Sequence, residues 1–301
     1  MTSGPLLIVG ASGFIGRTLI EACADAGRPA IGLARAECDI TDPAAVERAI
    51  ARHRPDLVVN TAAFSNVDAA EADRAGAAAV NAQGPAILGS RAAAAGIPLI
   101  HISTDYVFDG GKQTPYSEDD AVAPLGEYGR SKVAGESGLR AVQPRHVILR
   151  TAWVFGRHGG GFVRMAIAAA LRRQPIRTIV DQTGSPTAAT DLARAILAVD
   201  AAIGSGFESW GTYHYAGRQP ARRLDIVETI LEAVRALGRG VPPIVPVTFA
   251  DFAAVAPRPT YSALDSSRFV RTFGFPASDW RSRLLELVQE EARAMAEQPI
   301  P

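Results

Sequence analysis

The sequence predicts an α/β fold, a doubly wound parallel sheet with a smaller C-terminal lobe. Three observations carry this. Short apolar runs alternate with segments of helical spacing from residue 5 to residue 150. The connections between them are short. The first apolar run ends in a glycine-rich turn that opens onto a helix. Taken in order, PLLIVG (5–10) is a continuous apolar run closed by glycine, which suits a strand covered on both faces. Residues 14–27 have helical spacing and stop at Gly27. A short strand follows at 30–34. Asp42 and Pro43 open a helix that runs to about Arg52. DLVVN (56–60) is the third strand, and the Ala-rich stretch 68–95 is a helix ending at Gly96. PLIHIS (98–103) is the fourth strand, 125–142 a helix, and HVILR (146–150) the fifth strand.

Beyond about residue 156 the rhythm loosens. Helices are expected at 161–173, 189–202, 222–237 and 279–297, with Pro-rich loops such as VPPIVPV and APRPTY between them. Residues 1–156 therefore read mainly as a dinucleotide-binding domain. Residues 157–301 read mainly as a substrate-binding lobe, interleaved with the last strands of the sheet. Thirty-one basic and thirty-one acidic residues cancel, so neither a nucleic-acid field nor a polybasic membrane anchor is expected. Two cysteines, Cys23 and Cys38, fit a reducing compartment. No stretch approaches the roughly 20 apolar residues of a spanning helix, and MTSGPLLIVG lacks the charged start of a signal peptide. A cytoplasmic protein is expected.

The turn is GASGFIG, with glycines at 10, 13 and 16, one residue longer than G-x-G-x-x-G. Gly10 permits the tight turn, Gly13 lets backbone approach a pyrophosphate, and Gly16 permits close helix–strand packing. Ser12, Phe14 and Ile15 share the turn and join the cofactor-binding set. A glycine turn kept for packing alone is the plainer alternative. An acid at the end of the second strand would bind the ribose of NAD, whereas arginine accommodates the 2′-phosphate of NADP. IGLAR places Arg35 there, and Arg17 offers a second charge. NADP(H) is thus the preferred cofactor and NAD(H) the alternative, with ordinary surface arginines as the other explanation. Asp39 and Ile40 stand where they could flank an adenine, though Asp39 also suits a plain turn. Asn60, Ala62 and Ala63 follow the third strand, where small residues let a cofactor lie close or simply pack.

Parallel sheets bind ligands beyond the carboxyl ends of their strands, so Ser103, Thr104 and Asp105 should reach a crevice. In YGRSK, Tyr128 and Lys132 fall on one helix face, one turn apart. A hydroxyl to hold a carbonyl, a phenol to give it a proton and an ammonium to lower the phenol's pKa form a coherent set. Hydride chemistry would belong to the cofactor. Ser65 and Val67 are expected beside a sugar. Arg258 suits a diphosphate by its bidentate fork or a surface salt bridge. Trp153 suits a sugar face or the core, and Asp105 a substrate or a turn. Asp181, Gln182 and Gly184 suit the shaping of a loop more than ligand contact, and Asn81 is a site candidate with a helix-internal structural role as the alternative. The five histidines show no metal-ligand spacing, so no metal is expected, and His101 reads as structural.

Together, GASGFIG, Asn81 in VNAQGP, STDYVFDG and YGRSK resemble an extended short-chain dehydrogenase/reductase. PDLVVNTAAFSNVDAAEAD, RTAWVFG, DQTGSPT and RPTYSALD are similar to the dTDP-4-dehydrorhamnose reductase family, and these motifs run from residue 10 to residue 265. The resemblance implies a Rossmann-type fold with a small C-terminal substrate lobe. It implies reduction of the C4 ketone of dTDP-6-deoxy-L-lyxo-4-hexulose by NAD(P)H to give dTDP-L-rhamnose. It places the family's catalytic threonine, tyrosine and lysine on Thr104, Tyr128 and Lys132, and its active-site tryptophan on Trp153. Tyr106 and Phe108 of STDYVFDG join the expected substrate contacts.

Two departures qualify the resemblance. Some relatives carry a glutamate in the first helix that takes part in a metal-bridged dimer contact. Thr18 stands nearest that place here, so no magnesium site is expected, and a homodimer would have to form in another way. FSN replaces a tyrosine-bearing segment, and Phe64 lacks the hydroxyl that would help define the nucleotide sugar. Two other functions compete on the same scaffold. A nucleotide-sugar epimerase or dehydratase would hold NAD tightly, which Arg35 opposes. A non-catalytic regulatory subunit would not need Thr104, Tyr128 and Lys132, all of which are present.

Overall fold

The run LLIV forms β1 (Leu6–Val9), a strand at the heart of the sheet. Its side chains alternate between two layers, Leu6 and Ile8 into one and Leu7 and Val9 into the other, and all four are fully buried. That is the arrangement a strand covered on both faces requires. The structure, a computed structural model, describes residues 4–252, 254–277 and 279–297. After β1 come α1 (Phe14–Asp25), β2 (Ala30–Leu33), α2 (Pro43–His53) and β3 (Leu57–Asn60). Asp42 caps α2 by accepting from the Ala44 N–H, with Pro43 in its first turn.

The stretch 68–95, read as one helix, is broken. It comprises α3 (Val67–Ala72), α4 (Arg74–Ala78), a π-helical turn (Ala79–Gln83) and α5 (Gly84–Ala94). Asp73 ends α3 and caps α4 through the Gly76 N–H. Uniform alanine periodicity does not reveal a break made by one capping carboxylate. Then follow β4 (Leu99–Thr104), α6 (Glu127–Val142) and β5 (His146–Thr151).

The remaining elements are β6 (Val154–Phe155), α7 (Gly161–Leu171), β7 (Ile176–Ile179), β8 (Thr183–Gly184), β9 (Thr187–Ala188), α8 (Ala189–Gly204), β10 (Gly211–His214), β11 (Ala221–Arg222), α9 (Arg223–Ala236), β12 (Ile244–Val247), α10 (Ser267–Phe273) and α11 (Trp280–Glu297). The strand β10 returns to the main sheet and completes the order β10-β5-β4-β3-β1-β2, all parallel. Strand order reverses between β1 and β3, and a ligand crevice is expected at such a switch point. Leu19 and Cys23 of α1 and Leu192, Ile196 and Val199 of α8 cover one face. Val46 and Ile50 of α2, Leu88 of α5 and Leu139 of α6 cover the other. A separate core joins Ile167 of α7, Ile226 and Ile230 of α9, and Trp280 and Leu284 of α11. The proline-rich stretch VPPIVPV, read as a loop, contains β12, which pairs with β7 in a two-stranded ribbon where Pro246 is tolerated. Among the described residues no helix is long and apolar enough to cross a membrane.

Candidate active site

The first turn takes the form its glycines allow. Gly10 has φ +78, and a Cβ on it would lie 2.5 Å from the Ala62 backbone nitrogen. The backbone after β3 therefore passes directly against the turn. Helix α1 starts at Gly13 with no side-chain cap, leaving its first N–H groups open toward the crevice. A diphosphate fits that cradle.

A cavity of about 700 Å³ opens at the carboxyl ends of β1, β3 and β4. Its wall includes Gly10, Ser12, Gly13, Phe14, Ile15, Arg35, Asp39, Ile40, Ala62, Ala63, Ser103, Tyr128 and Lys132 of the expected cofactor set. It also includes Ser65, Val67, Thr104, Asp105, Tyr106, Trp153 and Arg258 of the expected substrate set. Two expectations are corrected. Gly16 is not in the wall; it packs against the turn, where a Cβ would meet Gly10 O at 2.5 Å. Phe108 is fully buried in the core, stacked on Tyr116 at 4.2 Å, and cannot touch a substrate. Arg17 is exposed on α1 and also lies outside the wall.

At the adenine end, Arg35 is 81% exposed and its Nε donates to Asp39 Oδ2. Asp39 also accepts from the Thr41 N–H and hydroxyl, and these bonds hold its carboxyl below the usual range. Asp39 is thus a turn residue that tethers Arg35 beside the cavity. Asn81, in the π-helical turn, grips the backbone of Phe64 with both ends of its amide and reaches Ser131 Oγ at 3.0 Å. That buried clamp is structural, and it sets the loop carrying Phe64 and Ser65.

The helix α6 lies unusually close to the end of β4. A Cβ at Gly129 would sit 2.2 Å from Tyr106 O, so only glycine allows this approach. The approach puts Tyr128 and Thr104 together in the wall of the cavity. Thr104 Oγ1 donates to Asp105 Oδ1 at 3.1 Å, and Ser262 Oγ donates to Asp105 Oδ2 at 2.6 Å. Burial pushes the Asp105 carboxyl up to about 6. Burial also pushes the Tyr128 phenol well above its ordinary value, with Asp105 and Tyr106 adding to the effect. Lys132 is 1% exposed, and its Nζ points to Ile102 O at 2.7 Å and to His101 Nε2 at 3.2 Å. Lys132 Nζ is thus turned toward the sheet, and burial sets the direction of the Tyr128 shift.

Trp153 takes a left-handed backbone conformation, φ 44, which is strained for so bulky a residue. Its indole fits because Gly184 leaves room, where a Cβ would lie 2.4 Å from Trp153 Cε2. Arg223 stacks over the indole at 4.2 Å, and its Nε donates to Gln182 Oε1. So DQTGSPT acts as a support for Trp153, as the loop-shaping alternative held. Arg223 was not among the expected site residues, yet it lines the cavity. One signal could have found it, because a cation in the first turn of a helix opposes the helix dipole. Arg258 donates to Asp68 Oδ2 at 2.8 Å and still faces the cavity. Its salt bridge and its place in the wall coexist.

Ser103 reaches the wall, but its hydroxyl donates to Glu136 Oε1 at 2.6 Å. Glu136 is fully buried and also accepts from Arg150 at 2.7 and 2.9 Å and from Arg140 at 2.7 Å. These bonds outweigh burial and hold its carboxyl below the usual range. Thr18 is buried in α1, and its hydroxyl donates to Phe14 O. Among the described residues no three His, Cys, Asp or Glu side chains cluster as metal ligands.

A glycine cradle, a threonine, a tyrosine and a buried lysine around one crevice raise the question of family. The model of the RmlD substrate binding domain matches residues 4–293. The chain belongs to that family. A dTDP-4-dehydrorhamnose reductase of Mycobacterium tuberculosis is 41% identical over 93% of this chain and 90% of its own. A probable dTDP-4,6-dihydroxy-2-methyloxan-3-one 4-ketoreductase of Streptomyces antibioticus is 40% identical over 93% of each chain. Among solved structures, a dTDP-4-dehydrorhamnose reductase of Bacillus anthracis in complex with NADP has a TM-score of 0.87 at 30% identity, covering 96% of this chain and all of that one. A UDP-glucose 4-epimerase of Thermotoga maritima, at 19% identity and TM-score 0.81, shares the fold alone. The Rossmann-type fold and the family resemblance are thus borne out, and the protein is an oxidoreductase of this family.

Proposed function

We propose that the protein reduces the C4 ketone of dTDP-6-deoxy-L-lyxo-4-hexulose to dTDP-L-rhamnose with NADPH. The observation that carries this reading is the placement of Thr104, Tyr128 and Lys132 in one wall of the glycine-turn cavity. NADPH, when bound, supplies the hydride to the ketone carbon. The Gly10 turn and the N-terminus of α1 would hold its diphosphate, and Arg35 the 2′-phosphate. Thr104 Oγ1 holds the ketone oxygen, and Tyr128 delivers its proton there as the alcohol forms. Trp153 offers a flat face to the sugar, and Arg258 a fork to its diphosphate. The NADP complex of the Bacillus anthracis relative supports the cofactor choice. A cytoplasmic location accords with the buried free thiols Cys23 and Cys38, and a homodimer would form without the metal-bridged contact.

The Streptomyces antibioticus relative motivates a second reading, a different dTDP-linked 4-keto sugar, because its identity is nearly that of the rhamnose enzymes. Phe64, without a hydroxyl, lines the same cavity. NADPH oxidation against dTDP-, GDP- and UDP-linked 4-keto sugars decides between them. The first reading expects the highest kcat/KM with the dTDP-6-deoxy-L-lyxo-hexulose, and silence with every ketone would overturn both. For the cofactor, Arg35→Ala is expected to lower the NADPH:NADH preference about tenfold, since one charge-assisted contact contributes roughly 1.4 kcal/mol. An unchanged ratio would remove Arg35 from phosphate recognition.

A further inference from the structure

We propose that Arg223 is a substrate-binding residue that forms, with Arg258, a two-arginine clamp on the diphosphate of a nucleotide sugar. Arg223 is the first residue of α9, and it lines the cavity. A cation there opposes the helix dipole. Burial pulls its guanidinium below the ordinary range; Tyr106 and Asp105 oppose that shift, and Arg258 adds to it. The position works against the fold, which is the pattern of a ligand site.

The side chain is held in place. Its guanidinium stacks over the Trp153 indole at 4.2 Å and lies 5.2 Å from the centre of the Phe162 ring. Its Nε donates to Gln182 Oε1 at 3.0 Å, and Gln182 is itself buried. The ribbon of β11 with β8 fixes the two segments, pairing Arg222 with Thr183 and Ala221 with Gly184. These contacts use the face of the guanidinium and its Nε–H. They leave the terminal nitrogens, whose N–H groups can still donate.

Among the described residues no carboxylate pairs with those nitrogens. The acids around them are engaged elsewhere. Asp105 accepts from Thr104 and Ser262. Asp225, in the same helical turn, is bound by Arg222 at 2.7 Å. Asp68 is bound by Arg258 at 2.8 Å. Tyr106 lies near both arginines, but burial holds its phenol protonated, so it brings no charge. The wall thus carries a cation with no counter-ion of its own, and a cation withdrawn from water calls for a partner.

The partner is a second phosphoryl group. The Gly10 turn and the N-terminus of α1 make one anion cradle, which the cofactor takes. Arg223 and Arg258 come from the C-terminal lobe and make another in the same cavity. With Trp153 as the platform for the sugar, the phosphoryl joined to that sugar lies beside the stacked guanidinium. The fork of an arginine matches a phosphoryl group bidentately. The substrate class is therefore a sugar on a nucleoside diphosphate, in preference to a free sugar or a sugar monophosphate. This inference rests on the proposed function in taking the cavity as the site of a nucleotide sugar. Its test reads binding and not turnover, so the two can fail separately.

Protein saturated with NADP+ would be titrated calorimetrically with dTDP, UDP and GDP, and the tightest binder carried forward. Arg223→Gln is expected to weaken that diphosphate by at least about tenfold, the loss of a charge-assisted contact, while NADP+ affinity stays within about twofold. The wild-type affinity should also fall more steeply with added salt than that of Arg223→Gln, because the group removed is a charge. A role confined to propping Trp153 would not move that slope. Unchanged diphosphate affinity, or an equal salt dependence, would overturn the inference. Arg223→Lys keeps the charge and loses the fork, so it should bind at least about threefold more weakly and keep the steep salt dependence. It decides the matter if Arg223→Gln does not fold, and wild-type affinity in it would overturn the inference too. No binding of any of the diphosphates to the wild type would overturn both this inference and the substrate reading. Binding that Arg223→Gln loses, in a protein that reduces no ketone, would leave the clamp standing and end the reductase reading.

Discussion

Tyr128→Phe lowers kcat by at least about 10²-fold and leaves NADPH binding in place. The substitution removes one oxygen. The ring keeps its edge-to-face contact with Tyr106 at 5.9 Å, and Thr104 keeps its bond to Asp105 at 3.1 Å, so the wall of the cavity survives. What is lost is the proton that neutralises the developing alkoxide. Thr104 cannot replace it, because an aliphatic hydroxyl is a far weaker acid than a phenol. The effect should fall on kcat with little change in the KM for NADPH, which is the pattern for an interaction made in the transition state. Steady-state kinetics and quenching of protein fluorescence by NADPH check the two halves. Near-normal turnover would take the tyrosine out of the mechanism.

Glu136→Ala destabilises the fold by about 3–5 kcal/mol, the cost of stripping one partner from a buried ion pair. Arg150 is 3% exposed and would lose both bonds to the carboxylate, keeping His214 Nε2 at 3.4 Å and the Phe108 ring at 5.3 Å. Ser103 would lose its acceptor at the same time, so the end of β4 that carries Thr104 should loosen as well. Urea unfolding measures the loss. The pH dependence provides a second check. The Glu136 pKa is depressed in the folded protein. Its contribution is therefore present above the unfolded value of about 4.3 and disappears as pH falls through the lower folded value. The gap between wild type and variant should narrow in acid. A loss under about 1 kcal/mol at neutral pH would mean that the pair is a surface-type contact.

The sheet was legible because its strands are buried on both faces, so LLIV, LVVN and HVILR read as unbroken apolar runs. Its sixth strand, GTYH at Gly211–His214, was not, because it is short and carries two polar side chains; only its pairing with β5 defines it. The same holds for β12, where Pro246 argues against a strand and the contact with β7 overrides it. In the site, spacing gave Tyr128 and Lys132, the end of the fourth strand gave Thr104 alongside Ser103 and Asp105, and the family resemblance singled out Thr104. Direction was not available. Whether Lys132 faces the phenol or the sheet depends on His101, 31 residues away and across a helix–strand contact. Phe108 lies in the same motif as Thr104, yet the chain turns between them and sends its ring into the core. Arg223 is remote in sequence from Trp153, and only the folded lobe brings them together.

The most direct test of the reductase reading is the count of NADPH consumed per molecule of dTDP-6-deoxy-L-lyxo-4-hexulose converted, followed by absorbance and product NMR in one tube. A ketoreductase built on Tyr128 oxidises one NADPH for each sugar alcohol formed. Conversion of the sugar with no net NADPH loss would contradict the account and point to an epimerase. Binding of both ligands with no conversion would contradict it equally and point to a subunit that has ceased to catalyse.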